Sequence, residues 1–243
     1  MSRLLLISNS TVHGRAYLDH VASEVRDFVG TRTRIIFLPY ALHDRRAYCA
    51  QAEDRFRNMG LEFTSAHDLS NASRAIEESE IVFIGGGNTF RLLHELQKNG
   101  LIEPIRRAVR AGTPYIGSSA GSIVACPSLK TTKDMPVVQP MSFEALGLVP
   151  FQISPHYLDP DPKSTHMGET QEQRIEQFLE ENEEPVVGLR EGSFLRAEHD
   201  GVMLKGPLSA RIFRRGQSPA EIPSGTNLTD VLVQQVSSAG LVA

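Results

Sequence analysis

Short apolar runs of three to five residues alternate along this chain with longer stretches whose apolar residues recur every three or four positions. Residues 4–7, 34–38, 61–64, 81–84 and 115–117 read as strands, and several are too uniformly apolar to leave one face to water. Between them, residues 17–29, 45–59, 72–79 and 90–112 carry helical spacing. This order predicts an α/β fold, a parallel sheet covered by helices on both faces. After about Pro127 the pattern changes to a proline-rich irregular stretch, followed by an exposed helix over 169–181. Short strands then cluster at 186–189, 193–198, 202–204 and 210–213, with Asp200-Gly201 as a hairpin signal between two of them. No repeat or linker interrupts the chain, so residues 1–243 are expected to form a single catalytic domain with a small antiparallel C-terminal portion.

At 243 residues and 40% hydrophobic content the chain can bury a proper core. A net charge of −4 and a pI near 6.1 give no basic field, which argues against nucleic acid and acidic membranes as partners. Two cysteines, Cys49 and Cys126, cannot make a disulfide framework and suit a reducing cytosol. No apolar segment reaches 18 residues and the apolar part of "MSRLLLISNS" is too short for a signal peptide, so a soluble cytoplasmic protein is expected.

In a parallel sheet, ligands sit beyond the carboxyl ends of the strands. The loops there are "SNST", "PYALHDR", "GGGNT", "GSSAGS" and "REGS". Gly117-x-Ser119-x-Gly121, between a strand and a helix, has the spacing of a nucleophile elbow, in which small neighbours allow a strained turn that pushes one hydroxyl out. Small residues packing in a plain turn would give the same letters. The N–H of Ala120 opens the following helix and is a candidate oxyanion donor. Gly85-Gly86-Gly87-Asn88-Thr89 lacks both the dinucleotide and the P-loop spacing, and its backbone reads either as an oxyanion loop or as a turn ending in an Asn cap.

A serine near neutral pH needs a base. Of eight histidines, His20 and His94 fall in helical patterns and His199 in a turn, where solvent explains them. His156 follows a short strand and a proline in "PFQISPHYLD", on a loop where catalytic residues gather, with His166 as its rival. The histidine needs an acceptor, and Glu191 at a strand end and Asp134 in "TTKDMP" are both candidates.

Together, "LLLISNST", "IGGGNTFRLL", "YIGSSAGS" with "ACPSLKTTKDMPVV", "SPHY", "GETQEQRI" and "LREGSF" resemble peptidase E, the aspartyl dipeptidases, in order from Leu4 to about Phe194. The resemblance implies a flavodoxin-like sheet related to the class I glutamine amidotransferases, with serine in place of their cysteine. It further implies cleavage of dipeptides after an N-terminal aspartate, with Ser119 as nucleophile, His156 as base, Glu191 as acid, Asp134 in a catalytic or supporting part, and Gly87 and Ala120 as oxyanion donors. No metal or cofactor belongs to that mechanism. The order Ser119, His156, Glu191 disfavours an α/β-hydrolase, which runs serine, acid, histidine. The chain departs from its bacterial relatives at Gln171, where they carry an arginine able to hold the substrate aspartate bidentately. Arg174 or Lys133, or the neutral donors Asn88 and Gln171, are then left to bind that carboxylate. Two other readings stand beside this one: a cyanophycinase-like peptidase of the same fold, and a non-catalytic module whose glycine loops hold a small anion.

Overall fold

The computed structural model describes residues 2–165, 167–199 and 201–233. His166 and Asp200, both singled out above, lie outside the described residues. Strands β1 (Leu4–Ile7), β2 (Arg34–Leu38), β3 (Glu62–Ser65), β4 (Ile81–Ile84) and β5 (Tyr115–Ser118) pair in parallel. Helices α1 (Ala22–Val29), α2 (Arg45–Asn58), α3 (Ala72–Glu78), α4 (Thr89–Lys98) and α5 (Ile102–Arg110) connect them.

The uniform apolarity of these strands has a direct cause. Leu5, Ile7, Ile35, Phe37, Ile81, Phe83 and Ile116 pack against Val25 and Phe28 of α1 and Tyr48 and Phe56 of α2. Their neighbours Leu4, Leu6, Ile36, Leu38, Val82, Ile84 and Tyr115 point the other way, onto Ile76, Leu92, Leu93, Leu96, Ile105 and Val109. Successive side chains of a strand alternate faces, so a strand covered on both sides must be apolar throughout.

One sequence reading is corrected. The stretch read as one helical pattern over 90–112 is two helices, because Gly100 takes a φ of 64° after α4 and α5 starts anew behind Leu101. The C-terminal strands are antiparallel, as expected, and are divided between two sheets. β8 (Phe194–Glu198) and β9 (Gly201–Lys205) extend the main sheet antiparallel from β1, giving the seven-stranded order β3-β2-β4-β5-β1-β8-β9. A second sheet, β11-β10-β7-β6, joins β6 (Gln152–Pro155) and β7 (Val186–Leu189) in parallel to antiparallel β10 (Ala210–Phe213) and β11 (Ala220–Ile222). α6 (Ala120–Val124) follows β5, and α7 (Gln171–Glu181), opened by a Thr170–Gln173 capping box, packs on the second sheet through Ile175 and Phe178. β11 and the short α8 (Thr229–Val233) carry no strong pattern and escaped the sequence reading. Among the described residues no helix is long and apolar enough to cross a membrane.

Candidate active site

Ser119 sits at the junction of β5 and α6 with φ 51° and ψ −110°, a region that side-chain-bearing residues seldom occupy. The turn is held from beneath, since the Ser119 N–H donates to the Ile7 carbonyl at 2.9 Å while its own carbonyl accepts from Ser122 and Ile123. The flanking serines point elsewhere. Ser118 is wholly buried, and the buried Ser122 hydroxyl lies 2.8 Å from the Ile7 carbonyl and 2.9 Å from that of Gly117. Of the three, only Ser119 keeps a partly exposed side chain.

His156 follows β6 and also adopts a positive φ, 51°; with Leu18 and Ser119 it completes the non-glycine residues that do so among those described. Three partners fix this backbone. The His156 N–H donates to Ser8 Oγ at 2.9 Å, and its carbonyl accepts from Lys133 Nζ at 3.1 Å and Gln171 Nε2 at 3.2 Å. Thus clamped, the ring places Nε2 2.8 Å from Ser119 Oγ and Nδ1 2.7 Å from Glu191 Oε1. An ionised carboxylate only accepts, so Nδ1 carries the proton, and in the neutral ring Nε2 is left to accept from the serine hydroxyl.

Glu191 follows β7 and is half exposed. Its loop is tied to the end of β1, because Gly192 N–H donates to Asn9 Oδ1 at 2.7 Å while the Ser8 hydroxyl donates to the Leu189 carbonyl at 2.8 Å. The sequence places "SNST" at the right end of the sheet but gives no role to Ser8 or Asn9. Asp134 is placed differently from Glu191. Its Oδ2 accepts from the Thr89 N–H (2.7 Å), the Thr89 hydroxyl (2.6 Å) and the Thr132 hydroxyl (3.0 Å). It therefore anchors the start of α4 behind the glycine loop.

That loop lies against the serine. A Cβ on Gly86 would stand 3.0 Å from Ser119 Cβ, and Gly87 holds φ 134° with its Cα face 2.8 Å, at the Cβ position, from the Ala41 carbonyl. Only glycine fits there. Ala120, the first residue of α6, has no intrahelical acceptor for its N–H. Asn88 caps α4 through Arg91 N–H and donates to the Met135 carbonyl; Gln171 accepts from Leu158 N–H while donating to His156. Both amides are thus engaged with main chain. Arg174 is exposed and only loosely paired, 3.7 Å from Glu169.

His20 departs from the exposed position its helical pattern suggested. The surrounding segment, with Tyr17, Leu18 and Val21, folds into the core and buries both ring nitrogens, and burial first, then Arg15, lowers its pKa. His94 meets the Gln139 carbonyl at 3.0 Å and His199 is exposed. Cys49 and Cys126 are free thiols, the second fully buried.

The model of peptidase family S51 matches residues 4–205. Peptidase E of Streptomyces coelicolor is 52% identical over 229 residues, covering 94% of each chain. A probable alpha-aspartyl dipeptidase of Drosophila melanogaster is 42% identical, over 94% of this chain and 97% of its own. Among solved structures, a putative peptidase E of Listeria monocytogenes superposes with a TM-score of 0.63 over 85% of this chain and 99% of its own, at 22% identity. A peptidase from an acI-B1 actinobacterium reaches 0.69 over 93% and 96%, at 15% identity. These two share the fold, and the matched family model together with the close relatives sets the kinship: the chain belongs to peptidase family S51.

Proposed function

We propose that this chain is a serine dipeptidase that cleaves dipeptides after an N-terminal aspartate. The observation that carries the reading is the unbroken hydrogen-bonded run from Ser119 Oγ through His156 to Glu191, at 2.8 and 2.7 Å. Ser119 attacks the carbonyl of the aspartyl residue as His156 Nε2 takes its proton. The resulting imidazolium is stabilised by Glu191. The developing oxyanion is received by the N–H groups of Gly87 and Ala120, each such donor being worth roughly 10²–10³ in kcat. His156 then protonates the leaving amine, the second amino acid departs, and water activated by the same imidazole hydrolyses the aspartyl ester to free the enzyme. Kinship with proteins named peptidase E and probable alpha-aspartyl dipeptidase supports the aspartyl specificity. Of the polar residues assigned to substrate from the sequence, Asn88 and Gln171 act by holding main chain, whereas Arg174 keeps an open charge for the substrate carboxylate.

The test is a panel of Asp-Leu, Asn-Leu, Leu-Leu and N-acetyl-Asp-Leu, with Ser119→Ala as control. Asp-Leu is expected to be turned over well, Asn-Leu poorly and the acetylated peptide hardly at all. Ser119→Ala should lose roughly 10³-fold or more in kcat while its circular dichroism is unchanged. Equal hydrolysis of Asp-Leu and Leu-Leu would overturn the specificity, and wild-type rates in Ser119→Ala would overturn the mechanism.

A further inference from the structure

Beside His156, between the 130–133 segment, β6 and α7, lies a cavity of about 70 Å³. Its walls include the buried Thr131, Ser154, Ile175 and Phe178, and three cations, Lys130, Lys133 and Arg174, all on exposed residues, stand about it. A water needs roughly 10–15 Å³, so there is space here for a group the size of a carboxylate. The cations are poorly neutralised. Lys130 Nζ donates to the neutral Asn182 side chain at 2.7 Å, and Arg174 reaches Glu169 only at 3.7 Å. Lys133 has no carboxylate within ion-pair distance among the described residues; its ammonium turns in against the carbonyls of Pro155 (2.8 Å) and His156 (3.1 Å).

An ammonium has three N–H groups, and two of them are used here. The third remains. An ammonium turned partly out of water beside other cations and without a counter-ion leaves the place of an anion open, because an arriving carboxylate offsets both its desolvation and the mutual repulsion. The position suits one particular anion. Lys133 touches the backbone of the residue whose ring meets Ser119, and its neighbour Asp134 holds Thr89 at the end of the glycine loop. Lys133 is therefore tied to the backbone that carries the imidazole and adjoins the residue that supports the oxyanion loop, close to where the side chain of the acyl residue would extend.

We infer that Lys133, with Arg174 at the rim, is the specificity-determining cation that receives the side-chain carboxylate of the substrate's N-terminal residue. This rests on the dipeptidase reading above and adds the residue that makes an acidic side chain preferred. Burial holds the Lys133 pKa down to about 8, with Arg174 lowering it further while Asp134 and Glu191 act the other way. Lys130 and His156 are the other titratable groups close to it. The preference should therefore be strong near neutrality and fade as Lys133 loses its proton.

The measurement is the ratio of kcat/KM for Asp-Leu to that for Asn-Leu, from pH 6 to 10, in wild type, Lys133→Arg and Lys133→Met. The α-amino group titrates at higher pH in Asp-Leu than in Asn-Leu because of the side-chain carboxylate, so each dipeptide's own titration is measured and divided out of the ratio. In wild type the ratio should fall as pH rises through about 8, since kcat/KM reports the free enzyme. Lys133→Arg should keep it high to pH 10, and Lys133→Met should lower it roughly tenfold or more at neutral pH. A ratio flat with pH in wild type, or equal losses on both dipeptides in Lys133→Met, would overturn the assignment and leave Lys133 as a prop for the His156 backbone. If the wild type hydrolyses neither dipeptide, the dipeptidase reading falls, and calorimetric binding of L-aspartate to Ser119→Ala still decides the site. Binding weakened roughly tenfold by adding Lys133→Met supports it, and unaltered or undetectable binding overturns it.

Discussion

A carboxylate beside an imidazole acts differently from one beside a helix start, and Glu191 and Asp134 divide along that line. Glu191 accepts from His156 Nδ1 at 2.7 Å, its one side-chain partner among the described residues, while Asp134 satisfies one backbone N–H and two hydroxyls. In Glu191→Gln the amide N–H can face Nδ1, which reverses the tautomer and leaves Nε2 protonated and unable to accept from Ser119. A kcat loss of roughly 10²–10⁴ is expected, with stability little changed. Asp134→Asn should keep more activity yet lose about 1–3 kcal/mol in urea unfolding, since its three donors lose a charged acceptor. A larger kcat loss in Asp134→Asn than in Glu191→Gln, at unchanged stability, would move the acid role to Asp134. At this scale the sequence was legible where position marked a candidate: Ser119 between glycines, and His156 and Glu191 just past strands, are the residues that meet in one hydrogen-bonded run. Ser8 and Asn9 were not legible. Each is a plain polar residue whose role depends on partners 148 and 183 positions away, His156 and Gly192.

Between elements, the site depends on how closely α6 approaches the end of β4. An added Cβ on Gly121 would stand 2.1 Å from the Ile84 carbonyl oxygen, a backbone atom with no freedom to swing aside. Gly121→Ala should therefore destabilise the protein by about 3 kcal/mol or more, and should lower kcat even in the folded fraction because α6 carries Ala120 against Ser119. Urea unfolding with activity per folded molecule checks both, and wild-type stability would show that the two elements can part without cost. Element type was largely readable because both faces of β1, β2, β4 and β5 are covered and their apolar runs are unambiguous. Pairing was not. β8 and β10 have similar short apolar patterns, yet one joins the seven-stranded sheet and the other the four-stranded sheet, a choice made by contacts with β1 and β7 that no local pattern encodes.

For the molecule as a whole, the arrangement of the two sheets makes the site a report on their union. Ser119 comes from the end of the seven-stranded sheet, whereas His156 and Glu191 follow β6 and β7 of the four-stranded one. One buried cluster runs through both, from Leu4, Leu6 and Ile84 to Phe151, Ile153, Val187, Leu189 and Ile212. The join is polar as well, through Ser8, whose hydroxyl bonds to Leu189 and His156 while its N–H reaches Ser193. Neither sheet can leave without opening that cluster to water, at roughly 25 cal/mol per Å² of apolar surface. We predict that residues 1–243 unfold as one cooperative unit. Far-UV circular dichroism, near-UV signals from Tyr115 in the larger sheet and Tyr157 packed on the smaller, and activity after dilution from urea should share one midpoint. Activity lost at clearly lower urea than the ellipticity of the helices would mean that the smaller sheet, with His156 and Glu191, detaches first and that the chain contains two units.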